Sequence, residues 1–350
     1  MPPRQGVIIR CDGAADIGLG HLVRCIALAD ELRDKQQCRV KFLVRRGDIA
    51  VKMIRKAGHP VTQPPHSGDS DDTWISRVIL DEQPAALVMD FRERLAPEIV
   101  WKWRRQGTLI VSIEDLEDKR VACNLIFFPP IPQVDRLDWT GFTGELYTGW
   151  KWVLLRRQFA SITRGSKRNS RPHILVAMGG SDPAGMTLTA VKALAILDDE
   201  FDCTIVLGAA FCHDAALQRI LSSIRRPINV RRDVDDMASL MAGTDFAVAS
   251  FCMTAYELAA AGVPGIFLCL SEDHAQSAST FVGAGMGISL GVYDSIKTEE
   301  ALREQISGLL RDPGQCLKMA GRCRQLVDGC GAERIAGTIA ERLNVVSASA

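Results

Sequence analysis

The feature that most constrains the fold is a plan that occurs twice along the chain: a short apolar run, a loop with glycines, and an amphipathic helix. The first copy joins a run at 6–11 to a helical pattern at 21–34, and the second starts with a run at 174–178. Continuous apolar runs are typical of parallel strands that are buried on both faces. Strand–helix alternation predicts an α/β protein with two Rossmann-like, doubly wound parallel sheets and an interdomain cleft at the carboxyl ends of the strands.

Other segments fit the same alternation. We predict further strands at 40–44, 86–89, 109–113, 203–207, 246–249 and 265–270. Helical spacing of apolar residues predicts helices at 49–57, 72–82, 96–106, 186–197, 214–224, 255–261 and 275–282.

The domain boundary is expected at 163–172, which is charged, contains Gly, Ser and Pro, and lacks apolar periodicity. A length of 350 residues also exceeds what one hydrophobic core usually serves. We therefore predict an N-terminal domain at 1–162 that carries the catalytic histidine and a nucleotide-binding domain at 173–330. A final helix at 331–350 is expected to pack back on the N-terminal domain.

Charge and cysteine usage exclude several classes of protein. Lys and Arg together number 42, as do Asp and Glu, so no global positive field is available to attract nucleic acid. The 11 cysteines form no C-x-x-C pair, which argues against a zinc ribbon and for a reducing compartment. No apolar stretch approaches the roughly 20 residues that span a bilayer. We expect a cytoplasmic monomer or weak homo-oligomer with no metal or cofactor and no stable membrane insertion.

The first glycine loop carries the strongest local signal. Gly18 and Gly20 allow a tight turn and a close approach to a ligand, and His21 stands at the start of the following helix. The helix dipole disfavours an imidazolium at that position, and a neutral imidazole is what a general base requires. The alternative, about equally supported by spacing alone, is a turn that His21 caps.

The second glycine loop comprises Gly179, Gly180, Ser181 and Asp182. Backbone N–H groups after a buried strand and before a helix form a plausible nest for a diphosphate. We place Pro183 near the first turn of that helix. The alternative is a well-capped helix start with Asp182 as the N-cap.

A third segment predicts a helix that starts near Thr254, with Glu257 in its first turn. That carboxylate could accept hydrogen bonds from both hydroxyls of a ribose, or it could simply complement the helix dipole. Asp90, at the end of a strand, could bind a sugar hydroxyl, orient a base or act as a cap. Asp273 and His274 could contact sugar or phosphate, although an N-cap role for Asp273 is the safer interpretation.

Together these segments resemble the UDP-sugar hydrolase of pseudaminic acid biosynthesis, which is a member of the wider GT-B-fold group. That group also contains the murein lipid II glucosaminyltransferase and spore-coat polysaccharide proteins. The segments that carry the resemblance are Asp16-Ile-Gly-Leu-Gly-His through Ala29, Asp90-Phe-Arg, Glu114-Asp-Leu, 147–156, Gly179-Gly-Ser-Asp-Pro183 and Tyr256-Glu-Leu through Pro264.

The resemblance implies a role for particular residues. His21 matches the histidine that activates water for attack at the anomeric carbon, with inversion, and Glu257 matches the ribose-binding glutamate. The helix starts near Asp182 and Thr254 would stabilise the developing charge on UDP without a metal. The full set of predicted site residues is catalytic His21 and Asp90, with substrate or nucleotide contacts from Gly18, Gly20, Arg24, Gly179, Gly180, Ser181, Met253, Thr254, Glu257, Asp273 and His274.

Two segments depart from the family pattern, at 250–253 and at 273–276, and both fall in the nucleotide-binding half. The leading hypothesis is a hydrolase that releases UDP and a free amino sugar for nonulosonic acid or surface polysaccharide synthesis. One alternative is a glycosyltransferase of the same fold, in which an acceptor hydroxyl replaces water. Another is a non-catalytic nucleotide-sugar-binding protein.

Overall fold

The structure is a computed structural model that describes residues 5–14, 18–65, 68–162, 171–224 and 226–349. The chain divides into two compact units, one formed by residues 1–157 with 330–350 and the other by 158–329. Each unit contains one parallel sheet with helices, so the predicted pair of Rossmann-like domains is confirmed. Asp16 of the first glycine loop and most of the predicted linker, 163–170, lie outside the described residues.

Unit 1 contains a seven-stranded sheet in the order β3-β2-β1-β4-β5-β6-β7. Every neighbouring pair is parallel, and Val7 of β1 is in register with Val40 on one side and Ala86 on the other. The strands are β1 (Gly6–Cys11), β2 (Arg39–Leu43), β3 (Val61–Thr62), β4 (Ala86–Asp90), β5 (Leu109–Ile113), β6 (Leu125–Phe128) and β7 (Glu145–Thr148).

The helices of unit 1 cover the sheet and include the last helix of the chain. Leu28 of α1, together with Ile335 and Ile339 of α12, lies fully buried in one cluster with the side chains of β1 and β2. Burying an aliphatic side chain of this size stabilises the fold by roughly 1.5 to 3 kcal/mol. The helices are α1 (Gly20–Asp34), α2 (Asp48–Lys56), α3 (Asp71–Glu82), α4 (Pro97–Arg105) and α12 (Gly331–Ser349).

Unit 2 repeats the architecture with six parallel strands in the order β10-β9-β8-β11-β12-β13. The strands are β8 (His173–Ala177), β9 (Asp202–Leu207), β10 (Asn229–Arg232), β11 (Phe246–Ser250), β12 (Gly265–Cys269) and β13 (Gly287–Val292). The helices are α5 (Met186–Ala195), α6 (Asp214–Ser223), α7 (Met237–Ala242), α8 (Met253–Ala260), α9 (Glu272–Gly283), α10 (Lys297–Arg311) and α11 (Pro313–Leu326).

Sequence patterns predicted the central strands of both sheets and missed the outer ones. β10 is exposed at all four residues, and β13 has one buried residue among six, so neither has the apolar run of a central strand. In unit 1, β6 is fully apolar yet only four residues long. Such short or exposed strands are held by their neighbours in the sheet, which a periodicity argument does not register.

The eleven cysteines all lie in the described part of the chain and remain thiols. In that same part, no helix has the length and apolar character required to cross a bilayer.

Candidate active site

The carboxyl end of the sheet in unit 1 brings His21 and Asp90 together. His21 is the second residue of α1, and Asp90 is the last residue of β4. The distance from His21 Nδ1 to Asp90 Oδ1 is 2.5 Å. Because an ionised carboxylate only accepts hydrogen bonds, Nδ1 must carry the hydrogen, and Nε2 of a neutral ring then presents its lone pair. The pair therefore has the chemistry of an oriented general base.

Arg24, one helical turn after His21, also binds Asp90. Its Nε lies 2.6 Å from Asp90 Oδ2, and its Nη2 lies 2.7 Å from Oδ1. Since Nδ1 of His21 is already a donor, the 3.2 Å approach of Arg24 Nη2 to that atom is a proximity rather than a hydrogen bond. The third guanidinium nitrogen, Nη1, pairs with Glu114, which follows β5 directly.

Exposure separates the roles of these side chains. The His21 side chain is 24 % exposed, whereas Arg24 is 4 % and Asp90 is 1 % exposed. All three guanidinium nitrogens of Arg24 face carboxylates, and two of them hold Asp90 in place, while the predicted contact of Arg24 with a substrate stays a prediction. The Glu114 side chain is also 24 % exposed, so His21 and Glu114 are the accessible members of the group, and His21 is the one that can act as a base at neutral pH.

Asp90 is held in its ionised form by its surroundings. Burial opposes ionisation, but Arg24 and then His21 outweigh it and lower the pKa of the Asp90 carboxyl. A fourth hydrogen bond to this carboxylate comes from the Cys25 thiol, whose sulfur lies 3.3 Å from Oδ2. Neither the strand end nor its contacts make Asp90 a helix cap, so the capping alternative is wrong for this residue.

The glycines before His21 shape the entry to α1. Gly18 has a φ of 82°, which favours glycine, and its N–H donates to Ala14 O at 2.9 Å. Gly20 is the first residue of α1, and no side chain caps this helix. His21 is therefore not the N-cap, because Leu19 occupies that position.

In unit 2, the second glycine loop follows β8 and is packed tightly against the end of β9. A Cβ on Gly208 would lie 2.3 Å from Gly180 O, so glycine is required at this close approach. The same carbonyl accepts a hydrogen bond from Ala210 N at 3.0 Å. Gly179 has a φ of 80°, which again favours glycine. The loop is thus fixed through its backbone.

Asp182 and Pro183 lie farther from the start of the following helix than predicted. The helix starts at Met186 rather than near Pro183, and its N-cap position is Gly185. Asp182 nevertheless caps the helix from outside, because its carboxylate accepts from Met186 N and Thr187 N, both at 2.8 Å. A carboxylate therefore already occupies the anion site that the start of α5 would offer.

The start of α8 lies beside the same loop. A Cβ on Gly179 would stand 3.7 Å from Ser250 Oγ and 3.8 Å from Cys252 Sγ, so the loops after β8 and β11 are neighbours. The helix begins at Met253, followed by Thr254, and no side chain caps it. This arrangement brings the predicted phosphate loop and the start of α8 together.

Glu257 and the α9 residues complete the predicted set in unit 2. Glu257 is the fifth residue of α8, beyond the first turn where we expected it, and it is buried. In α9, Ser271 rather than Asp273 is the N-cap and accepts from His274 N at 3.3 Å. Asp273 and His274 stand in the first turn of that helix, after β12. Their contacts with a ligand stay predictions.

Sequence reasoning assigned no role to Glu114 or Cys25, although both touch the histidine–carboxylate group. Both residues entered the sequence analysis only within segments that carry the family resemblance. One signal was available: Glu114 and Asp90 both follow apolar runs that become adjacent parallel strands, and such ends meet at one edge.

The comparisons with known proteins give the relationship of the chain. It is 26% identical over 280 residues to an uncharacterized protein of Methanocaldococcus jannaschii, with 76% of this chain and 56% of that protein covered. The chain thus spans about half the length of that relative. The spore coat polysaccharide biosynthesis protein SpsG of Bacillus subtilis is 26% identical over 333 residues, covering 93% of this chain and 95% of SpsG. No family model matches the chain.

A third relative exceeds 30% identity. The UDP-N-acetylglucosamine–N-acetylmuramyl-(pentapeptide) pyrophosphoryl-undecaprenol N-acetylglucosamine transferase of Thiobacillus denitrificans is 32% identical over 335 residues. The alignment covers 84% of this chain and 87% of the transferase.

Solved structures share the fold. MurG of Acinetobacter baumannii has a TM-score of 0.71 at 16% identity, covering 97% of this chain and all of that one. A UDP co-structure of MnaA of S. aureus has a TM-score of 0.67 at 13% identity, covering 98% of each chain. HepE of Anabaena in complex with UDP-glucose has a TM-score of 0.61 at 13% identity, covering 98% of this chain and all of HepE. The chain therefore belongs to the GT-B glycosyltransferase-like superfamily, together with the transferase of Thiobacillus denitrificans and SpsG.

Proposed function

We propose that the protein is a glycosyltransferase that moves a sugar from a UDP-linked donor to an acceptor hydroxyl. One observation carries the chemistry: the hydrogen bond from His21 Nδ1 to Asp90, which leaves Nε2 to accept a proton. The donor class is supported by the relative from Thiobacillus denitrificans, whose name specifies transfer from UDP-N-acetylglucosamine. The UDP and UDP-glucose complexes of MnaA and HepE add support for the nucleotide.

In this proposal unit 2 binds the nucleotide through backbone groups. The loop at Gly179 and Gly180 lies beside the uncapped start of α8 at Met253, and backbone N–H groups at such a helix start bind phosphate oxygens. The Glu257 carboxylate accepts hydrogen bonds from the ribose hydroxyls. The start of α5 is not part of the phosphate site, because Asp182 already occupies it.

The reaction is a single displacement. Nε2 of His21 takes the proton of the acceptor hydroxyl while that oxygen forms a bond to the anomeric carbon. The bond from the anomeric carbon to the β-phosphate oxygen breaks, and UDP leaves with the electron pair. Asp90 stabilises the imidazolium that forms, and attack from the opposite face inverts the anomeric centre.

The resemblance to the pseudaminic acid pathway favoured a hydrolase, in which water replaces the acceptor. The same His21–Asp90 pair would activate water, so geometry at this pair does not separate the two reactions. The relatives named above support the transferase better, since the relative above 30% identity is a transferase.

The discriminating experiment measures UDP release from UDP-N-acetylglucosamine and from the UDP-linked diacetamido-trideoxy sugar, with and without acceptors. The acceptors are free N-acetylhexosamines and the undecaprenol-linked acceptor named for the Thiobacillus relative. A transferase releases UDP at least roughly tenfold faster with an acceptor, and the acceptor gains one sugar by mass. Equal release without any acceptor would establish the hydrolase instead.

A further inference from the structure

Glu114 stands in a chain of charged contacts that ends at His21. Its carboxylate pairs with Arg24 Nη1, and the other two guanidinium nitrogens of Arg24 hold Asp90. Asp90 in turn accepts the hydrogen of His21 Nδ1. The order Glu114, Arg24, Asp90, His21 therefore runs from the end of β5, through α1, to the end of β4 and back to the start of α1.

The backbone of Glu114 is unusual in a way that keeps its side chain in place. Its φ is 51°, in the left-handed region that residues with a Cβ adopt at an energetic cost. Its N–H donates to Phe127 O of β6 at 2.9 Å, which anchors this conformation. Such conformations persist where the surrounding structure enforces them and concentrate at functional sites.

The second carboxylate, that of Glu114, changes the net charge of the group beside His21. Arg24 and Asp90 by themselves would be a neutral pair, and His21 would face a carboxylate whose field is largely cancelled. Glu114 adds a negative charge to Arg24, and both carboxylates raise the pKa of the buried guanidinium although burial opposes this. The group beside His21 then carries one net negative charge, which stabilises an imidazolium.

The other described groups that contact these side chains do not supply the negative charge of Glu114. Among the described residues, the charged partners of His21 are Asp90 from β4 and Arg24 from its own helix. The remaining contact of Asp90 is the Cys25 thiol, and burial raises the pKa of that thiol, so it stays neutral.

We propose that Glu114 is a positioning residue that sets the basicity of His21 by taking up part of the charge of Arg24. The proposal deepens the proposed function and rests on it for the catalytic consequence. The consequence for His21 in the free protein is independent of any substrate.

The test compares Glu114→Gln with the wild type and with Glu82→Gln. The amide retains the length of Glu114 and one acceptor oxygen for Arg24, removes the charge, and replaces the second oxygen with an NH2 donor. Glu82 is a matched control because it also pairs with a cation, Lys41 at 2.6 Å, on the surface of unit 1. The first measurement is the NMR titration of the His21 ring in each free protein, assigned with His21→Ala.

We expect the His21 titration midpoint to move down by roughly half a pH unit in Glu114→Gln, about a threefold change in the protonation equilibrium, and to stay in place in Glu82→Gln. In the turnover assay the acidic limb moves in the same direction, and the plateau of kcat falls by up to about threefold because the base is weaker. The KM for the UDP-sugar stays within about twofold of the wild type.

An unchanged His21 midpoint in a folded Glu114→Gln variant would overturn the proposal and leave Glu114 as a structural anchor. A lower plateau with an unmoved acidic limb would overturn it as well, because that pattern indicates a displaced ring. If the midpoint moves while no UDP-sugar is turned over by the wild type, the proposed function fails and the role of Glu114 stands.

Discussion

The two units share one architecture but carry different groups at the carboxyl ends of their strands. In unit 1 that edge holds side-chain charges, with His21, Asp90, Arg24 and Glu114 in one connected group. In unit 2 the loop at 179–182 stands at the corresponding edge and is packed through its backbone against Gly208 and beside Ser250. Charged groups suit proton transfer, whereas N–H groups suit the binding of a diphosphate whose position must not change. In the proposed function, the two units therefore share a fold and differ in chemistry.

The sharpest way to break this comparison is to remove the histidine. His21→Ala should lower kcat by about 10²- to 10⁴-fold, since it removes the group that accepts the proton. UDP binding should remain within roughly twofold, because the nucleotide contacts belong to unit 2 in our proposal. Steady-state turnover and calorimetric UDP titration measure the two effects. A comparable loss of UDP affinity would contradict the division of labour between the units.

Asp90→Asn tests whether the charged group also stabilises unit 1. Removing one partner of a buried ion pair leaves Arg24 insufficiently compensated, and we expect the free energy of unfolding to fall by about 3 to 5 kcal/mol. Denaturant unfolding at pH 7 measures this, with Lys41→Met as the control for loss of an exposed pair, which costs at most about 1 kcal/mol.

The lowered pKa of Asp90 also predicts how the free energy of unfolding depends on pH. Because the pKa of Asp90 is lowered in the folded protein, its contribution is fully present above the unfolded value of about 3.9 and is lost as the pH falls further toward the folded value. Acid should therefore destabilise the wild type more steeply than Asp90→Asn below about pH 4. Acid-unfolding curves of equal steepness for the two proteins would contradict this prediction. They would mean that the partners of Asp90 do not lower its pKa in the folded protein.

Asp182 is a charged side chain of unit 2 whose described contacts are with backbone N–H groups. Asp182→Ala removes the acceptor for Met186 N and Thr187 N and should cost about 1 to 2 kcal/mol of stability. Asp182→Asn tolerates the φ of 44° and keeps one acceptor oxygen, but its NH2 group replaces the second oxygen, so one backbone N–H loses its acceptor and the cost should be about 1 kcal/mol.

The UDP affinity of the two Asp182 variants tests where the diphosphate binds. If the start of α8 binds it, both Asp182 variants should keep UDP affinity within about twofold. A rise of tenfold or more in Asp182→Asn would place the phosphates against α5, since a repulsive carboxylate would have been removed.

A similarly small effect on stability is expected at Gly179. A Cβ would meet Ser250 Oγ at 3.7 Å, an ordinary contact, so Gly179→Ala pays only for its φ of 80°, about 1 kcal/mol of unfolding free energy. UDP affinity should fall a few-fold because the added methyl group stands at the proposed phosphate loop. Gly141→Ala, with a φ of 81° in unit 1, controls for the strain and should leave UDP affinity unchanged.

The sequence by itself determined the central part of each sheet and the site segments at strand ends. The strand Leu109–Ile113 was predicted to the residue, because a strand that is buried on both faces is a nearly continuous apolar run, here interrupted by Ser112 alone. The pairing of His21 with Asp90 was partly accessible too, since the carboxyl ends of adjacent parallel strands share an edge.

Only the tertiary structure decided what the charged side chains do. Arg24 was predicted to contact substrate, and its burial between Asp90 and Glu114 depends on residues 66 and 90 positions away, which no local pattern encodes. Asp182 caps α5 from three residues before Gly185, because the chain turns through a left-handed conformation that periodicity does not reveal. Hydrophobic periodicity fixes which residues are buried, whereas the partners of buried charges are fixed by distances that exist only after the strands have assembled.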